Sequence, residues 1–96
     1  MPYKFPRIKF SDTNTIKQQL DHVLEEVHEV FKAYNEGMMG DMDMELCDLA
    51  QSVETLQRMR EERNGVSTKL TQEAMIKKNG ERGYYSEDNY TVCVST

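Results

Sequence analysis

Ile16-Lys-Gln-Gln-Leu20-Asp-His-Val23-Leu-Glu-Glu-Val27-His-Glu-Val30-Phe-Lys-Ala-Tyr34 decides the fold. Ile16, Leu20, Val23, Val27, Val30 and Tyr34 recur at spacings of four and three, which lays one apolar face along a helix. Ser11, Asp12, Thr13 and Asn14 offer N-cap side chains just before it, so the pattern predicts a helix over 14–35. After the break at Asn35-Glu36-Gly37 and Gly40, the spacing resumes with Met42, Leu46, Leu49, Val53 and Leu56. Asp41 or Asp43 can cap that segment and Asn64-Gly65 can stop it, predicting a second helix over 41–64. The connection is short, so the two helices should pack antiparallel.

Ser67 and Thr68 can cap a third helix over 67–79, with Leu70, Ala74, Met75 and Ile76 as a weak apolar side and Asn79-Gly80 as its stop. Pro2 and Pro6 disfavour a helix interior, so residues 1–13 read as an extended arm. Residues 86–96 read as a tail; Tyr90-Thr-Val-Cys-Val94 has β-propensity but no partner strand. The whole, 1–96, is read as a single all-α domain.

Such a short chain has little core to spare, so the antiparallel bundle is expected to be completed by self-association, as a homodimer or homotetramer. The 17 acidic against 12 basic residues give a net charge of −5, which repels polyanions and argues against duplex nucleic acid as a partner. Cys47 and Cys93 form neither a disulfide framework nor a zinc-ligand spacing, which fits a reducing compartment. No apolar run approaches the roughly 18 residues of a membrane span, and residues 1–10 lack the apolar stretch of a secretory signal. A soluble, cytoplasmic protein without a membrane partner is the expectation.

The acidic residues need a local explanation. Glu25-Glu26-Val27-His28-Glu29 lies in the first long helix and Glu45-Leu46-Cys47-Asp48 in the second, so each helix carries acids three residues apart, on adjacent turns of one face. Glu45 lies about 60° from the centre of the second helix's apolar stripe and so borders the seam between the helices. Like charges gathered there repel and call for a counter-charge. Mg²⁺, a hard cation that takes oxygen ligands and bridges carboxylates to phosphates, supplies it. A solvated acidic face is the plain alternative reading of each residue taken alone.

Glu26-x-x-Glu29, fifteen intervening residues and Glu45-x-x-Asp48 together resemble the signature of the all-α nucleotide pyrophosphohydrolases, the superfamily of MazG, dimeric dUTPases and phosphoribosyl-ATP pyrophosphohydrolase. Glu25 resembles the doubled acid often seen at its start, and Lys77-Lys-Asn-Gly-Glu-Arg-Gly-Tyr-Tyr85 resembles the third-helix end of short, single-domain MazG-like proteins, phage-encoded ones included. The resemblance covers about Ile16 to Tyr85. It implies hydrolysis of a nucleoside triphosphate, ribo or deoxy, to the monophosphate and pyrophosphate. It further implies Mg²⁺, with Mn²⁺ as the alternative cation, held by Glu26, Glu29, Glu45 and Asp48. Glu25 would lie beside them, either as a ligand to another ion or as the residue that orients or deprotonates water, with Glu26 as the other candidate proton acceptor. A metal inverts the local electrostatics, so an acidic protein can bind a triphosphate.

Lys78 and Arg82 are candidates for holding phosphate, Asn79 for a hydrogen bond to substrate and Tyr85, with Tyr84, for stacking on a base. Each has a structural alternative: Lys77, Lys78 and Arg82 complement a helix C-terminus, Asn79-Gly80 stops a helix, and the tyrosines pack against a second subunit. His22 and His28 read as structural or surface residues because neither has an identified carboxylate partner. Met38-Met-Gly-Asp-Met-Asp-Met44 reads as packing in preference to a soft-metal site. The contrasting function is a non-catalytic helical interaction or nucleotide-sensing module with an acidic, cation-binding face.

Overall fold

The computed structural model describes residues 3–86. They form four helices, α1 (Phe10–Thr13), α2 (Ile16–Asn35), α3 (Met39–Asn64) and α4 (Thr68–Glu81), and among them there is no strand, so the protein is all-α. The chain divides into two compact units, Pro2–Gly65 and a second that begins at Val66. No helix among the described residues is long and apolar enough to cross a membrane. Tyr90 to Val94 lies outside the described residues.

Helix ends follow local chemistry that composition alone had placed a few residues away. Ser11, Asp12 and Thr13, offered above as caps, fall inside the single turn of α1, so the arm is not extended throughout. The N-cap of α2 is Thr15: its hydroxyl accepts from Gln18 N at 3.0 Å while Gln18 Oε1 accepts from Thr15 N at 2.8 Å. This reciprocal pair satisfies two amides at once, which a lone Ser or Asp cap cannot match. At the other end Gly37 turns left-handed, φ +73°, and Met38 N donates to Ala33 O at 3.0 Å to close α2.

The next helix starts earlier than expected. Met38 is its N-cap with no side-chain cap bond, and Gly40 and Asp41 lie in its first turn, where Asp41 complements the positive end of the helix dipole. Neither Asp41 nor Asp43 is the cap. Gly65, φ +66°, ends α3 where Asn64-Gly65 was expected to. Within the second unit Ser67 caps α4 by accepting from Leu70 N at 3.2 Å. Asn79-Gly80 does not stop this helix; the left-handed residue is Gly83, φ +73°, and Tyr84 N donates to Asn79 O at 3.0 Å.

In the first unit α2 and α3 pack antiparallel. Gln19 pairs with Ser52, Glu26 converges with Asp48 and Glu45, and Glu29 and Ala33 share a cavity wall with Asp41 and Glu45, so position rises along α2 as it falls along α3. The buried positions of α2, Gln19 and Ala33, sit in register with half-buried Val23, Glu26 and Val30. A second stripe, one residue along, stays open: Leu20 is 49% exposed, Leu24 53%, Phe31 61% and Tyr34 60%. The single apolar face read from sequence is thus two faces, of which α3 covers one.

The arm lies along the C-terminal half of α3 through polar contacts. Buried Glu54 accepts from the main-chain nitrogens of Lys4 and Phe5 at 2.9 and 3.0 Å. Arg58 donates to Phe5 O at 3.2 Å and stacks on the Tyr3 ring, 3.9 Å from its centroid, while Tyr3 hydrogen-bonds Glu61. Arg7 bridges Glu62 and Asp12, and Arg63 donates to Ser11 O at 2.7 Å. These bonds seat Ile8 and Phe10 beside α2 and α3.

Candidate functional site

Three of the acids singled out by spacing come together. Glu26 on α2 and Glu45 and Asp48 on α3 each bring one carboxylate oxygen within 4.8 Å of the other two. Glu26 and Glu45 are half-buried and Asp48 is exposed. The antiparallel pairing explains the meeting, since it brings the acidic turn of each helix to the same level. Among the described residues no lysine or arginine pairs with any of the three. Burial, followed by the charges of Asp48, Glu26, Glu29 and Asp41, raises the pKa of Glu45 above the ordinary glutamate value.

Glu29 and Glu25 stand apart from this group. Glu29 lines a neighbouring cavity of about 230 Å³ with Lys32, Ala33, Glu36, Asp41, Met44 and Glu45, so Glu45 borders both places. Glu25 is turned outward, its side chain 76% exposed against 17% for Glu26. It faces His22 instead, with 3.8 Å between Oε2 and Nδ1.

His22 therefore does have carboxylate partners, contrary to the sequence reading. Its Nε2 lies 3.4 Å from Glu26 Oε1, so its two nitrogens address Glu25 and Glu26 one turn on. The spacing of three and four residues was the available signal. Also missed were Ile8 and Phe10, for which no local pattern existed, because their position depends on where the arm is seated. They line a cavity of about 290 Å³ with Gln19, His22, Glu26, Asp48, Gln51, Ser52 and Thr55. A volume of this order lies near the lower end of small-molecule sites, roughly 300–1,000 Å³.

Lys78, Asn79, Arg82 and Tyr85 belong to the second unit. Lys78 and Asn79 lie in the last turns of α4, where the Lys78 carbonyl accepts from Arg82 N at 3.2 Å, and Arg82 is the C-cap. Lys78 and Arg82 are exposed, and Asn79 and Tyr85 half-buried. Met38, Met39 and Met44 are exposed and Met42 is half-buried, so only the last is well placed for packing. Cys47 is exposed.

Neither the curated proteins nor the solved structures contain a match to the chain. Against known families, residues 14–84 match the MazG nucleotide pyrophosphohydrolase domain, a span that starts one residue before the cap of α2 and ends one residue after Gly83. With most of its length inside that match, including every acid of the convergent group, the chain belongs to the MazG family of nucleotide pyrophosphohydrolases.

Proposed function

We propose that the protein hydrolyses a nucleoside triphosphate, ribo or deoxy, to the monophosphate and pyrophosphate with Mg²⁺ as its cation. The observation that carries this reading is the convergence of Glu26, Glu45 and Asp48 in a chain of this family. The donor set suits the ion: three carboxylates with no lysine or arginine pairing with them among the described residues, one of them, Glu45, made less acidic by burial and then by its acidic neighbours, are what a hard divalent cation relieves. Glu26, Glu45 and Asp48 would hold it, with Glu29 joining through the cavity it shares with Glu45. Bound there, Mg²⁺ or Mn²⁺ supplies positive charge for phosphate oxygens and a lowered pKa for water.

The chain's own residues supply the proton acceptor. Water attacks the α-phosphorus, the bond from phosphorus to the bridging oxygen breaks, pyrophosphate leaves, and the water proton passes to a carboxylate of Glu25 or Glu26. His22 faces both, 3.8 and 3.4 Å away. For Lys78, Asn79, Arg82 and Tyr85, substrate contact is proposed from their places in the sequence. The open stripe of Leu20, Leu24, Phe31 and Tyr34 is proposed to pack against a second copy, since a protomer whose buried apolar residues among those described are Ala33 and Met59 leaves much apolar surface in water.

Pyrophosphate release from a panel of standard and modified nucleotides, run with Mg²⁺ in ¹⁸O-labelled water, tests the reaction. The label is expected in the monophosphate. Label in pyrophosphate would place the attack at the β-phosphorus, and binding without any turnover would favour a non-catalytic nucleotide-sensing module.

A further inference from the structure

We propose that the N-terminal arm carries the base-recognition wall of the site, with the Phe10 ring and Ile8 receiving the nucleobase and the Gln51 amide meeting its polar edge. The inference rests on the hydrolase reading for the identity of the ligand and on the cavity for its place. Glu26 and Asp48, two of the three convergent acids, line the same cavity of about 290 Å³ as Ile8 and Phe10. A triphosphate whose phosphates are drawn to those acids by a cation has its nucleoside within reach of this wall.

The wall has the chemistry a base needs. Phe10 is 49% exposed and also lines the adjoining cavity with His22 and Glu25. Ile8 is half-buried beside it. Lys9 Nζ lies over the Phe10 ring, 5.3 Å from its centroid, and the exposed remainder is a platform for the π-face that every base has. Gln19 is only 2% exposed and already bonded at both ends of its amide, Nε2 to Ser52 O at 3.1 Å and Oε1 to Asn14 Nδ2 at 3.0 Å, so it offers little of itself to a base edge. Gln51, half-buried on α3, carries a donor and an acceptor on one side chain and lines the cavity. The bonds from Glu54 and Arg58 to the main chain of Lys4 and Phe5 fix the path by which Ile8 and Phe10 arrive.

Phe10→Ala and Phe10→Leu decide the matter, read in two ways on the full chain. In Mg²⁺-dependent turnover, KM for nucleoside triphosphates is expected to rise by roughly tenfold, the order that one base–aromatic stack provides, with kcat nearly unchanged. Hydrolysis of ribose 5-triphosphate, which has no base, should keep its KM. In metal-free saturation-transfer NMR, base protons of nucleoside monophosphates should receive magnetisation from the wild-type protein and lose it in both variants. Circular-dichroism melts establish that the variants are folded, and Phe10→Leu keeps apolar bulk at the position. Unchanged KM for every nucleotide, or an equal rise for the base-free compound, overturns the wall. Should the wild type turn over no nucleotide, the hydrolase reading fails by itself, and the NMR experiment still rules: base signal lost with Phe10 upholds the wall, and no base signal in the wild type removes it.

Discussion

Gln19 Nε2 donates to the main-chain oxygen of Ser52 across the α2–α3 seam at 3.1 Å, from a side chain only 2% exposed. A polar residue thus occupies the position that begins the buried line of α2. Its oxygen is matched as well, by Asn14 Nδ2. Gln19→Ala should destabilise the fold by about 1–3 kcal/mol, because it opens a gap and leaves Asn14 without its acceptor. Urea unfolding followed by circular dichroism measures the loss; a change within a few tenths of a kcal/mol would mean that the bond adds nothing over water.

Glu45 crowds other acids, so Glu45→Gln should melt at a higher temperature than the wild type in the absence of divalent cations. Adding Mg²⁺ is expected to raise the wild-type melting temperature and to leave the variant nearly unmoved. Equal shifts in both proteins would take Glu45 out of the cation site.

Asp48→Asn should lower Mg²⁺-dependent turnover by at least tenfold with the helical signal intact, since Asp48 is exposed and belongs to the convergent group. Glu29→Gln is expected to reduce turnover less severely, in keeping with its place in the neighbouring cavity. Steady-state pyrophosphate release compares the two, and a larger loss in the Glu29 variant would reverse their assignment.

Arg7 holds the carboxyls of Asp12 and Glu62 below their ordinary pKa values by hydrogen bonding to both. A depressed carboxyl lends stability above its unfolded pKa and loses it as pH falls through the folded one. The melting-temperature difference between the wild type and Arg7→Ala should therefore be present near neutral pH and shrink as acid enters the range below the ordinary values of 3.8 and 4.5. These groups are exposed, so the difference should be small and weaken with salt. A gap that persists at the lowest pH would point to packing by the Arg7 stem.

Leu24→Lys with Phe31→Glu should leave a folded protomer that scatters as a monomer where the wild type associates, because both residues are more than half exposed on one stripe. A wild type that is itself monodisperse and monomeric at micromolar concentration would rule out association through this face.

Periodicity located α2 and α3 because each keeps its apolar residues at helical spacing, and the two acidic pairs stood out within that frame. The short α1 turn escaped notice since four residues are too few to show a period. The cap at Thr15 and the end at Gly83 were missed for a related reason: several adjacent residues had cap chemistry, and only the main-chain path chooses among them. Gln19 and Glu54 are polar residues in buried places, which no apolar pattern can reveal. Phe10 reached the site through tertiary seating, and its partners lie up to 45 residues away, at Thr55.

The seat of the arm grips main chain at Lys4, Phe5 and Ser11, through Glu54, Arg58 and Arg63. Bonds to backbone atoms do not register side chains, and the arm's own side-chain bonds to α3 fall at Tyr3 and Arg7. Ile8 and Phe10 can therefore be exchanged for other residues while the segment keeps its course, and the acids on α2 and α3 need not change in step. On the proposed reading, point substitutions at Ile8 and Phe10 would retune which molecule is admitted and leave the acids untouched.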